Sequence, residues 1–124
     1  MFSYMLASEE FPTAELVKLG AHASRVSFQA LSTSDHMQPW QSNEGHVGQA
    51  WVNMGALGAQ ARGWMGTTVT CPTMRYNPAV VAEAFATLTH LYPGRIFLGV
   101  GSGEALNEQA APETGRNGRN AGTG

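Results

Sequence analysis

The sequence predicts an α/β fold on a parallel sheet, and three observations carry the prediction. Short apolar or β-branched runs alternate with helical stripes along all but the last part of the 124 residues. Each run ends in polar residues, proline or glycine. The stretches between runs are long enough for helical crossovers, which are almost always right-handed and therefore make neighbouring strands parallel. The expected order is strand, helix, strand, helix, strand, helix, strand.

Met1 to Ala7 is the first strand, ending in Ser8-Glu9-Glu10. Pro12-Thr13 opens a helix, with Thr13 as its expected cap, Glu15 at the positive end of the dipole, and Leu16, Leu19, Gly20 and Ala23 at helical spacing. Phe28 to Ser34 is a second strand, unusually polar through Gln29, Ser32, Thr33 and Ser34. It leads into Asp35-His36-Met37-Gln38-Pro39-Trp40 and a loop from Gln41 to Val47. Ala50, Trp51, Met54, Leu57, Gly58 and Ala61 then share one helical face.

Met65 to Thr70 carries the β-branched run Thr67-Thr68-Val69-Thr70, stopped by Pro72. Asn77-Pro78 gives the clearest helix start, a cap followed by proline at the first helical position. Its expected buried stripe is Val81, Ala84, Phe85, Leu88 and Leu91. Tyr92-Pro93-Gly94-Arg95 turns into the strand Ile96 to Val100, and the glycines after it are expected to open a helix reaching Glu108. Parallel alignment collects Glu9 and Glu10, Asp35 to Trp40, Cys71 to Arg75, and Gly101 to Asn107 at one end of the sheet, where parallel α/β folds place their sites.

Composition excludes several classes. The net charge is −2 with 13% charged residues, and the seven Lys and Arg residues are scattered, which argues against a nucleic-acid or anionic-membrane surface. No window approaches the about 18 apolar residues of a membrane span. A single cysteine, Cys71, forbids an intrachain disulfide and fits a reducing cytoplasm, the expected location.

Several residues are candidates for chemistry. Gly99-Val100-Gly101-Ser102-Gly103 reads either as a backbone cradle for phosphate or as a tight strand-to-helix turn. A dinucleotide fingerprint would need glycine where Glu104 stands, and a carboxylate there repels pyrophosphate. His36 beside Asp35 is either a general base or a polar loop residue. Trp40 is either a buried lid or a wall of an apolar pocket. Cys71 reads as a small buried residue, with no adjacent cation to activate it. The four histidines show no ligand spacing, so no metal is expected.

Three stretches taken together are more specific: Thr33-Ser34-Asp35-His36-Met37-Gln38-Pro39-Trp40, Gly66 through Val80, and Leu91 through Glu108. In this order they resemble the F420-dependent glucose-6-phosphate dehydrogenase group of the luciferase-like monooxygenase superfamily. The resemblance covers about Tyr4 to Ala110. It implies a (β/α)₈ barrel that binds the deazaflavin F420, with FMN as the alternative, and passes hydride between an alcohol or sugar phosphate and the cofactor. By that resemblance His36 is the base and Glu104 the acid, with Trp40 beside the reacting atoms. Asp35, Thr68, Val69, Cys71, Gly101, Ser102, Gly103 and Asn107 line the cofactor site, with a non-prolyl cis peptide at Thr68-Val69.

Such a barrel needs about 250 residues. The expectation is therefore the amino-terminal half of a barrel over residues 1–110, followed by a disordered tail over 111–124 that lacks any large apolar side chain. The rival expectations are a catalytically silent half-barrel that at most self-associates, and a small doubly wound nucleotide-binding domain. Open strand edges make homo-oligomerisation a further expectation.

Overall fold

The computed structural model describes residues 1–36, 45–72 and 76–102. Four strands, β1 (Ser3–Leu6), β2 (Ala30–Thr33), β3 (Trp64–Thr70) and β4 (Ile96–Val100), alternate with three helices, α1 (Thr13–Val26), α2 (Ala50–Gly58) and α3 (Pro78–Leu91). The strands are all parallel, in the order β1-β2-β3-β4. Sequential order with parallel pairing is what repeated right-handed crossovers produce.

The register aligns Tyr4, Leu31, Met65 and Ile96 in one row and Leu6, Thr33, Thr67 and Leu98 in another, and successive rows of one face lie two residues apart. On that face Leu6, Leu31 and Met65 pack against Leu16 and Ala23 of α1, Met54 and Leu57 of α2, and Val81, Phe85 and Leu88 of α3. The opposite face carries Ser3, Met5, Ala30, Ser32, Trp64 and Phe97. No helix among the described residues covers it, and it forms an open concavity of about 410 Å³.

Helix ends show where local sequence decides. Asn77 caps α3, its Oδ1 accepting from the backbone N–H of Ala79, with Pro78 at the first helical position, as the sequence predicts. Replacing Asn77 by alanine is expected to destabilise the fold by about 1 kcal/mol, read as a lowered urea midpoint at unchanged slope. The α1 start differs from expectation: Pro12 is the cap residue, no side chain caps it, and Thr13 is already helical. Proline sets φ near the value the turn needs, and that suffices. At α2, Gln49 caps by accepting from the N–H groups of Trp51 and Val52, a role its residue type does not advertise.

Two burial expectations also change. Leu91 is 59% exposed at the end of α3, so the buried stripe closes at Leu88. Leu98 and Val100 are 39% and 60% exposed because β4 is an edge strand of the described sheet. Conversely, the polar strand β2 is fully buried, since it lies inside the sheet under α1. The expected helix after Gly101 and the expected tail lie outside the described residues.

Candidate functional site

The carboxyl ends of the four strands gather the polar residues that the apolar core cannot hold. Leu6 aligns with Thr33, an offset of 27 residues, and the same offset carried past the strand ends sets Glu9 beside His36. There the His36 Nδ1 and Glu9 Oε1 are hydrogen-bonded, with the two side chains 21% and 7% exposed. The other oxygen of Glu9 accepts from the Ser34 hydroxyl at 3.0 Å. Ser34 shares a 2.7 Å hydrogen bond with the Ser8 hydroxyl and accepts from the Ser8 N–H at 3.2 Å. A hydroxyl-backed carboxylate thus orients the imidazole.

Burial works to raise the Glu9 carboxyl. The hydrogen bond with His36, its backbone N–H, the Ser34 hydroxyl and the imidazole charge outweigh that and hold it below the ordinary carboxylate value. A lowered folded value means that Glu9 contributes stability above the ordinary carboxylate range and loses it as pH falls through the folded value. The thermal midpoint of the native chain should therefore drop on acidification more steeply than that of a Glu9→Gln variant, as followed by circular dichroism from pH 6 down to about pH 3.

Asp35 turns the other way. Its carboxylate accepts from the Thr70 hydroxyl at 2.7 Å and the Tyr76 hydroxyl at 2.8 Å, and it is 6% exposed. Tyr76 stacks on Trp51, ring centres 4.5 Å apart, and Trp51 meets Phe85 edge-on. Asp35 so fastens the end of β2 to the end of β3 and the approach to α3, and the carboxylate partner of His36 is Glu9 rather than its sequence neighbour.

The Thr68-Val69 peptide is cis, as the resemblance implies. Between Thr67 and Thr70 the β3–β4 register shifts by one residue. The Thr68 hydroxyl donates to the Met5 sulfur at 3.2 Å, and the Val69 side chain is 45% exposed. Cys71 is buried beside them, and the Gly101 N–H donates to the Thr70 carbonyl at 2.9 Å. A side chain at Gly101 would run into Val69, and one at Gly99 into the Thr67 carbonyl. Contact with β3 is therefore enough to explain these two glycines.

Of the residues singled out from sequence, His36, Asp35, Thr68, Val69, Cys71, Gly101 and Ser102 lie together along this rim. Trp40, Gly103, Glu104 and Asn107 lie outside the described residues. Sequence reading named Glu9 only as a polar group at a strand end and gave no role to Ser8, Thr70 or Tyr76. The signal for Glu9 was available in the equal spacing of Glu9 and His36 from their strands. Among the described residues no group of His, Cys, Asp and Glu could hold a metal ion, and no helix is long and apolar enough to cross a membrane.

Comparison with known proteins gives matches over most of this chain. The profile of the family described as luciferase-like monooxygenase matches residues 2–119. An F420-dependent glucose-6-phosphate dehydrogenase from Segniliparus rotundus is 51% identical over 108 residues, 86% of this chain and 32% of that protein. An F420-dependent hydroxymycolic acid dehydrogenase from Mycobacterium tuberculosis is 49% identical over 111 residues, 89% of this chain and 31% of that protein. The structure of an F420-dependent secondary alcohol dehydrogenase in complex with an F420-acetone adduct superposes with a TM-score of 0.86 at 38% identity, covering 89% of this chain and 34% of that one. An FMN complex of a type II Baeyer-Villiger monooxygenase shares the fold, with a TM-score of 0.74 at 18% identity. The chain spans about a third of the length of the curated relatives it matches.

Proposed function

The chain belongs to the luciferase-like monooxygenase family, and from that premise we propose that it carries the amino-terminal part of an F420-dependent oxidoreductase site acting on an alcohol or sugar phosphate. The observation that carries the reading is the Glu9–His36 pair at the carboxyl rim, beside the cis peptide of β3. Its donor set suits a deazaflavin, because alcohol oxidation by hydride transfer asks the protein for proton management and for orientation of two carbons. Proton exchange and packing are what an imidazole–carboxylate pair and an exposed Val69 at the rim supply.

When bound, F420 supplies the hydride acceptor. His36 takes the hydroxyl proton of the substrate, its ring oriented by the bond from Nδ1 to Glu9. Glu9 holds the ring in that orientation and favours the imidazolium formed after proton transfer. Thr68, Val69, Cys71, Gly101 and Ser102 are assigned to the cofactor-facing rim, with Asp35 bracing it from behind. Gly103 and Asn107 are proposed to extend that rim, Trp40 to flank the reacting atoms, and Glu104 to exchange the proton at the deazaflavin.

Titration of the chain with F420, followed by the fluorescence of the deazaflavin, is expected to show saturable binding. No binding at concentrations that saturate full-length relatives would overturn the enzyme reading in favour of a catalytically silent half-barrel. FMN titrated in parallel tests the alternative cofactor, and tighter FMN binding would reverse the assignment.

A further inference from the structure

β2 lies between β1 and β3 and ends at Thr33, so Ser34, Asp35 and His36 extend beyond the ladder that aligns the strands. Their side chains take over, and they alternate. Ser34 and His36 bond to Ser8 and Glu9 past the end of β1, whereas Asp35 bonds to Thr70 of β3 and to Tyr76 beyond it. The segment that carries the imidazole is thus anchored on both sides. We propose that Tyr76 is a positioning residue for His36: its hydroxyl fixes the Asp35 carboxylate, and through the adjoining peptide bond it holds the imidazole in reach of Glu9.

The two oxygens of Asp35 are divided between two donors. Oδ2 accepts from the Thr70 hydroxyl at 2.7 Å and Oδ1 from the Tyr76 hydroxyl at 2.8 Å. Asp35 is buried, so a carboxylate that swings out of this grip loses a charge-assisted bond where little water can replace it. Thr70 is itself buried in β3 and cannot follow. The ring of Tyr76 is set independently of the carboxylate. It stacks on Trp51 of α2, and Trp51 meets the buried Phe85 of α3 edge-on, with ring centres 5.9 Å apart. Packing therefore fixes where the phenol oxygen lies, and the hydrogen bond constrains Asp35 instead of travelling with it.

The neighbouring residue supplies a contrast. Asn77 serves its own helix, its Oδ1 accepting from the Ala79 N–H, whereas the Tyr76 hydroxyl reaches back 41 residues to the end of another strand. Losing either contact costs stability. Only the loss of the hydroxyl releases the segment that carries His36.

The inference rests on the proposed role of His36 as base, but its test needs neither cofactor nor substrate, so its outcome is separate from that of the F420 titration. Glu9 is held ionised near neutral pH and can only accept, which places the proton of the pair on His36 Nδ1. Nitrogen-edited proton resonance of the 124-residue chain reads the exchange of that proton with water. Tyr76→Phe keeps the stack on Trp51 and removes only the hydroxyl, and it is expected to accelerate the exchange by about tenfold or more. Thr70→Val removes the donor to the other oxygen and is expected to do the same. Asn77→Ala is expected to lower the urea midpoint yet leave the exchange within about twofold of native. Native-like exchange in both hydroxyl variants, equal acceleration in Asn77→Ala, loss of the fold in both hydroxyl variants, or a native proton that already exchanges as in free histidine overturns the proposal.

Discussion

Replacing His36 by alanine is expected to lower hydride transfer by roughly 10²- to 10⁴-fold while F420 still binds, the range over which a positioned general base contributes. The substitution removes the group proposed to take the hydroxyl proton but leaves the rim formed by Thr68, Val69 and Gly101 in place. Glu9→Gln should fall between the native chain and His36→Ala. The amide keeps the shape, yet it cannot favour the imidazolium as the carboxylate does. Single-turnover absorbance at the deazaflavin band measures both variants, and fluorescence titration reports binding separately. Unchanged turnover in His36→Ala would remove that residue from the role of base.

This prediction depends on a pairing that the local sequence hides. Asp35 is the carboxylate next to His36 in the chain, and reading along the chain makes it the natural partner. The Asp35 carboxylate, however, is taken up by the Thr70 and Tyr76 hydroxyls, so the neighbour in sequence is not the partner in space. Glu9 reaches His36 because β1 and β2 are in register, which only strand pairing can establish. The same distinction runs through the fold. Asn77-Pro78 is legible because a cap and a fixed φ are local properties of two residues. The burial of polar β2 is not legible, because it follows from a central place in the sheet and from helices elsewhere in the chain. The extra residue in β3 shifts the register so that Thr70, rather than Val69, meets Asp35.

Gly99 in β4 and Gly101 just after it both abut β3, and two alanine substitutions test whether either also serves the ligand. Gly99→Ala is expected to be severely destabilising, at or above the top of the roughly 1–3 kcal/mol range for overpacking. Its new methyl group would overlap the Thr67 backbone carbonyl. That carbonyl cannot retreat: Thr67 is fully buried and its hydroxyl donates to the Gly99 carbonyl at 3.3 Å. Gly101→Ala meets only the Val69 side chain, which is 45% exposed and can change rotamer. It should cost about 1 kcal/mol or less, while displacing Val69 at the rim and weakening F420 binding. Urea midpoints measure the first effect and the titration the second. Equal stability losses in the two variants would mean that both glycines serve the β3–β4 contact alone, whereas the split places the ligand-facing role at Gly101 and the structural one at Gly99.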